Sequence, residues 1–168
     1  MNTIEAIMTR RSIHQFKDVP VTDEQIKTIL AAAMQAPSAG DGRPWHFIVT
    51  KDRDKLNALA EKVDGGNKML KEAPAAVLLC SNEAKEGFPA FYPQDCACAG
   101  ENIYLAAHEL GLATVWVAIW NVPPRIQGCE DVFAMPEGIK PFALFPLGVS
   151  NEDLAAEDRY DEALVSWE

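Results

Sequence analysis

The chain has 168 residues, of which 48% are hydrophobic and 24% charged, and its 15 basic and 25 acidic side chains leave a formal charge of −10. That length fits a single domain over residues 1–168, with enough interior to need no disulfide or metal staple. The acidic balance argues against general affinity for nucleic acid or for an anionic membrane surface, because both need a basic face.

Asn2 or Thr3 caps a short first helix with Ile4, Ile7 and Met8 on one face, ending near Arg10-Arg11. This N-terminal stretch has no apolar core of signal-peptide length. No run in the chain approaches the roughly 20 apolar residues of a membrane span, so the expected location is the cytoplasm. Thr22-Asp23-Glu24-Gln25 is a capping box that opens a second helix, with Ile26, Ile29, Leu30 and Ala33 at helical spacing and Pro37 as its stop. Residues 38–44 are loop. Trp45 to Thr50 alternates as a strand. Asp52 or Asp54 starts a helix that carries Leu56, Leu59, Ala60 and Val63, and Asp64-Gly65-Gly66-Asn67 breaks it.

Ala75 to Cys80 reads as a buried strand, and Glu83 to Tyr92 as irregular. Pro93 sits in the first turn of a helix that runs to Leu110 and stops at Gly111. The middle of this helix is apolar nearly all round apart from Glu101, Asn102 and Tyr104, which predicts burial on most faces. Thr114 to Trp120 reads as a strand, Pro123 to Phe133 as a helix, and Phe142 to Val149 as a last strand interrupted by Pro146. The acidic tail from Ser150 carries Tyr160, Leu164, Val165 and Trp167 without forming a clear element. The apolar central helix and the aromatic tail both point to burial against a second copy of the chain.

Most familiar chemistry is missing from the pattern. Cys80, Cys96, Cys98 and Cys129 form a C-x-C but no C-x-x-C, and read as reduced thiols packed as small hydrophobes. His14, His46 and His108 are scattered, so no metal site is expected. The chain has no phosphate-loop, dinucleotide, zinc-protease or nucleophile-elbow motif.

Two stretches remain. Residues 6–17 hold Arg10, Arg11, Lys17 and His14 with no acid, a local reversal of sign in an acidic chain. Two guanidiniums beside the Ser12 hydroxyl suit a phosphate; equally, they complement the negative end of the first helix. Residues 36–45, Ala-Pro-Ser-Ala-Gly-Asp-Gly-Arg-Pro-Trp, are either a rigid small-residue loop that lets backbone approach a flat ligand or a plain helix-to-strand connection.

Together, R-R-S-I-x-x-F and the later A-P-S-A-x-x-x-x-P-W resemble the FMN-dependent nitroreductase family. Gln94 to Thr114 resembles its central dimer helix, and Pro146-Leu147-Gly148 with Asp158-Arg159-Tyr160 resembles its end. The resemblance implies an α+β fold with a mixed sheet flanked by helices, and an intertwined homodimer with FMN at the interface. It implies that Arg10, Arg11 and Ser12 hold the phosphate and ribityl chain, and that Arg159 pairs with the phosphate. It places His14 and Lys68 near the flavin ring, either of them the candidate donor to the reduced flavin. Pro37, Ser38 and Ala39, continued by Gly40 and Asp41, would cover the ring from the partner subunit. The backbone around Ala118 and Ile119 would lie near its reactive edge, and Gly148 belongs to the same cofactor set.

The implied activity is oxidoreduction. NADH or NADPH reduces the flavin at N5, then a small nitroaromatic or quinone is reduced, in ping-pong order and without a side-chain nucleophile. A relative with a specialised flavin reaction (dehalogenation, dehydrogenation, flavin breakdown) and a non-catalytic flavin-binding regulator are the alternatives. Three positions depart from the family pattern. Asp41 stands where Asn is frequent, Arg43 where Gln is, and Glu157 where some members are basic. Asp41 and Arg43 either tune the flavin or simply pair. Trp116 and Trp120 are ring wall or core, Phe91 and Tyr92 slot lining or packing anchors, and His14 flavin donor or surface residue.

Overall fold

A computed structural model describes residues 1–64 and 67–168. Its helices are α1 (Thr3–Thr9), α2 (Asp23–Ala33), α3 (Arg53–Lys62), α4 (Asn67–Glu72), α5 (Tyr92–Glu109) and α6 (Pro123–Val132). Its strands are β1 (Trp45–Thr50), β2 (Ala75–Asn82), β3 (Ala113–Thr114), β4 (Val117–Ala118) and β5 (Ile139–Gly148). Local chemistry accounts for most of these limits. Asn2 with Glu5, and Thr22 with Gln25, close reciprocal capping boxes on α1 and α2. Asp52 caps α3 through the amides of Asp54 and Lys55. Gly111 ends the α5 region at φ +70°. The expected break after α3 falls partly on Gly65 and Gly66, which lie outside the described residues.

The sheet runs β1-β2-β5-β3, with β4 also paired to β5. β2 and β5 are its centre, and both faces of β2 are sealed. Ala76, Leu78 and Cys80 enter a core with Leu56 and Leu59 of α3, Leu70 of α4 and Cys129 of α6. Ala75, Val77 and Leu79 enter a second core with Ile26 and Ile29 of α2 and Ile103 and Ala107 of α5. An uninterrupted apolar run is what a strand covered on both sides requires. Fully burying each of its larger side chains contributes about 1.5–3 kcal/mol.

The class is α+β, but every described pairing is antiparallel, so the sheet is not mixed. Two helices, α3 and α4, separate β1 from β2. An odd number of reversals, three with two intervening helices, brings the chain back antiparallel beside its starting strand.

Three other expectations change. The strand expected over Thr114 to Trp120 is two short pieces. Thr114 pairs with Leu147 and Val117 with Leu144, so Val115 falls opposite Pro146, which has no N–H to offer the ladder. The Trp116 N–H leaves the sheet and donates to the Tyr104 hydroxyl at 2.6 Å. β5 itself is not interrupted by Pro146, because that proline's missing donor faces this gap. Finally, α5 buries one face only (Cys96, Ala99, Gly100, Ile103, Tyr104 and Ala107) and leaves Ala97 and Cys98 exposed and Leu105 and Ala106 half-buried.

Helices α3 and α6 touch at Gly128, where an added Cβ would meet the Lys62 carbonyl oxygen at 2.6 Å. Alanine ordinarily favours a helix interior by roughly 1 kcal/mol over glycine. Here backbone cannot yield, so Gly128→Ala is expected to lower stability by about 1–3 kcal/mol in urea unfolding. Equal or greater stability would show that the α3–α6 approach is not tight.

Candidate functional site

Arg10 and Arg11 follow α1 directly, and the extended segment after them is stitched to the rest of the chain. The Ile13 N–H donates to the Thr114 carbonyl (3.1 Å), that of Lys17 to Val149 (2.9 Å), and Phe16 bridges to Ser150. Glu152 accepts the amide of Gln15 at 2.9 Å and that of His14. The tail thus returns beside the N-terminal segment and brings Arg159 to Arg11. Arg10, Arg11, Glu157, Arg159, Ile7, Met8 and Tyr160 line a cleft of about 400 Å³. Glu157 lies between two of the guanidiniums, 2.7 Å from Arg11 and 2.7 Å from Arg159. The Arg159 hydrogen bonds, aided by the Arg11 charge, hold its carboxyl below the usual carboxylate range.

Behind this cleft stands Tyr104. Its ring carries the Arg10 guanidinium 4.9 Å from the centroid, and its hydroxyl lies 3.2 Å from Ser12 Oγ and receives the Trp116 amide. Glu101, one turn earlier on α5, is 3.5 Å from Arg10. Sequence reasoning did not place Tyr104 or Glu101 in the site. The signal was present: they are two of the three polar side chains in the otherwise apolar middle of the helix, Ala97 to Ala107. The third, Asn102, donates to the Ala32 carbonyl at 2.9 Å.

The remaining candidates fall in three places. His14 is exposed beside the cleft segment, and Lys68 is exposed on α4. The Phe16 amide donates to Glu72 at the end of that helix (3.2 Å), which sets α4 next to residues 12–16. Ala118 is exposed, and its carbonyl accepts from Arg125 at 2.8 Å. Ile119 is fully buried, with its N–H donated to Phe142. Gly148 pairs with Ala113, with Phe16 and Pro74 packed against it.

Pro37, Ser38, Ala39, Gly40 and Asp41 lie apart from the arginines. Neither cleft lined by Arg10 and Arg11 includes a residue of this loop. The loop is anchored instead to the first turn of α5: buried Asp95, also missed from sequence, accepts the Ala39 amide at 2.9 Å. Ser38 Oγ accepts the Arg43 amide at 3.0 Å. Gly40 (φ +58°) lies under the Phe88 ring, and Asp41 and Arg43 also hold left-handed backbone at φ +55° and +50°. For non-glycine residues that conformation costs about 1–2 kcal/mol each. Asp41 and Arg43 form a two-armed ion pair, both bonds 2.8 Å, so of the two sequence readings pairing is the one realised. The pair lowers the Asp41 pKa and raises that of Arg43.

Trp116 packs edge-on against Phe145 (5.0 Å) and Phe142 (5.8 Å), which is the core reading. Trp120 is half exposed, with Nε1 donating to the Tyr92 hydroxyl at 2.8 Å. Phe91 stacks edge-on with Phe88. Three cysteines are buried, and burial raises their thiols, those of Cys96 and Cys129 to about 12. Among the described residues no group of three or more His, Cys, Asp or Glu side chains is placed to hold a metal, and no helix is long and apolar enough to cross a membrane.

The chain is an α+β domain with helices on both sheet faces and a cleft lined by three arginines. The comparisons define it further. The sequence profile of the Nitroreductase family matches residues 7–67 and 57–149. A Methanothermobacter thermautotrophicus protein called "Putative NADH dehydrogenase/NAD(P)H nitroreductase" is 44% identical over all of this chain and 87% of its own length. A Parabacteroides distasonis crystal structure of the same description superimposes with a TM-score of 0.92 at 33% identity, covering 99% of this chain and 98% of the other. An FMN-dependent nitroreductase of Clostridium difficile gives 0.89 at 31% identity, with 98% of each chain covered. The chain belongs to the nitroreductase family.

Two outcomes follow from this geometry. Tyr104→Phe removes the acceptor of the Trp116 amide and should cost about 1–3 kcal/mol in urea unfolding; an unchanged midpoint would show that the amide finds another partner. A thiol reagent applied to the native protein should label at most one cysteine, Cys98, and all four after denaturation. Labelling of two or more before unfolding would contradict the burial of the others.

Proposed function

We propose that the protein is an FMN-dependent oxidoreductase that uses NADH or NADPH to reduce small nitroaromatic or quinone acceptors. The observation that carries the reading is the convergence of Arg10, Arg11 and Arg159 on one cleft in a chain of net charge −10. Forked guanidinium donors match the oxygens of a phosphate monoester, and the Ser12 hydroxyl stands beside them as a further donor. The described relatives add weight, since one of them is named for FMN dependence and another for NAD(P)H.

FMN bound here would supply a two-electron carrier between nicotinamide and acceptor, for which ping-pong kinetics are expected. The chain's own part is to bind and orient. Arg10, Arg11, Ser12 and Arg159 grip the phosphate end. Tyr104 fixes Arg10 and Ser12 from behind by ring contact and hydrogen bond. His14 and Lys68 flank the same segment and supply positive charge or a donor toward the ring.

The loop of Pro37 to Asp41 serves a site in a homodimer. It is held away from the arginines of its own chain, so it can cover only flavin bound by the other subunit. The apolar surfaces left open favour that assembly. Ile4, Ile7 and Met8 on α1 are 69%, 47% and 53% exposed, and Leu164 and Trp167 of the tail 83% and 85%. A second copy wrapped by the tail would cover such surfaces.

The test is a visible spectrum of the purified protein, repeated after anaerobic NADH or NADPH. Flavin bands that bleach with a nicotinamide and return with a quinone are expected. A colourless protein that takes up no added FMN would overturn the proposal. Arg10→Ala should weaken FMN binding by about tenfold or more; unchanged flavin content in the purified variant would remove Arg10 from the phosphate grip.

A further inference from the structure

The phosphate cleft already holds an anion of its own. Glu157 offers one carboxylate oxygen to Arg11 Nη2 (2.7 Å) and the other to Nε and Nη2 of Arg159 (2.9 and 2.7 Å). A second Arg11 nitrogen, Nη1, donates to the Ala155 carbonyl two residues earlier in the tail. Both guanidiniums therefore spend their forks on the tail, in the two-pronged manner in which they would hold a phosphate. Arg10 is held differently, by the Tyr104 ring and, more loosely, by Glu101 at 3.5 Å. Of the three cleft arginines, only Arg10 keeps its donors clear of Glu157.

We propose that Glu157 is a built-in counter-anion of the flavin-phosphate cleft, which the phosphate must displace from Arg11 and Arg159, so that it weakens and makes exchangeable the binding of FMN. This rests on the FMN reading above. The physical reasoning is competition for one set of donors. Without an anion, Arg11 and Arg159 would face each other as like charges. With Glu157 between them the empty cleft is stabilised, and every bond an incoming phosphate makes there replaces one already present. If the carboxylate stays nearby after displacement, its charge opposes the phosphate as well. Either way the penalty is specific to the phosphate group. A flavin without phosphate does not ask for these donors.

The experiment loads the full-length protein with FMN or with riboflavin, dilutes it, and reads the released flavin fluorescence to obtain a Kd for each. Glu157→Gln keeps the size of the side chain and removes its charge. It should tighten FMN roughly three- to tenfold relative to the unsubstituted protein and leave riboflavin within about twofold. Glu157→Ala should move FMN in the same direction, which guards against an effect peculiar to glutamine. An unchanged or weaker FMN Kd in both variants would overturn the inference, and so would equal tightening of riboflavin, because the effect would then not act through the phosphate. In those two cases the unsubstituted protein still binds FMN, and the flavin reading stands. If neither it nor the variants bind any flavin, the flavin reading falls and this inference with it.

Discussion

The central pair of strands constrains everything outside it. β2 and β5 are paired over eight positions and are almost wholly buried, so apolar helices must cover both faces of the sheet. That requirement fixes α2 and α5 on one side and α3, α4 and α6 on the other. It also determines where polar chemistry can occur, because no charged group is tolerated in either core without a partner. The arginines, the tail and the 37–41 loop are accordingly outside the two cores; the segment after the arginines is tied to the sheet by the Ile13 and Lys17 amides, and the loop is held to α5 by Asp95.

Pro146 is where this constraint produces a site. A proline in a central strand deprives the neighbouring strand of a donor, and β3 and β4 part at that point. In the gap between them the Trp116 amide donates to the Tyr104 hydroxyl instead of to a strand. The same hydroxyl meets Ser12, and the same ring underlies Arg10. The break between β3 and β4 and two residues of the cleft thus meet at one tyrosine. Thr114 reinforces the junction, its Oγ1 donating to the Pro146 carbonyl at 2.7 Å.

How much of this was legible depended on range. The first helix's cap at Asn2 or Thr3 (Asn2 in the structure), the capping box at Thr22, the Trp45–Thr50 alternation, the Ala75 run and the Pro93 and Pro123 helix starts are written in adjacent residues, and they formed where expected. The broken β3–β4 strand was not legible, since its cause is a proline some thirty residues away that becomes a neighbour only through register. The arginine cleft was half legible. Arg10 and Arg11 stood out as a reversal of charge and Arg159 through family resemblance, but Glu157 bridging Arg11 and Arg159 is a tertiary fact. Tyr104 illustrates the general difficulty: its polarity in an apolar helix marked it as needing a partner, yet nothing in sequence said which. Asp95 is similar, a first-turn acid by sequence and the anchor of the 37–41 loop by structure.

The distribution of charge links these parts. Most of the excess acid is spread over exposed helix ends and the tail, where water screens it and pairing contributes little. In the cleft the same kind of group has a different effect. Arg11 is largely covered, with 21% of its side chain exposed, while Glu157 against it is 48% exposed, so solvent screens the pair only in part. An acidic tail that carried no arginine would close the cleft to anions. Arg159, two residues after Glu157, restores the positive sign at the same place and leaves three guanidiniums against two carboxylates, Glu157 and the more distant Glu101. On the proposed reading the tail therefore contributes both a grip and its competitor, and the balance between Glu157 and Arg159 would set how strongly a protein with so much negative charge holds a phosphate.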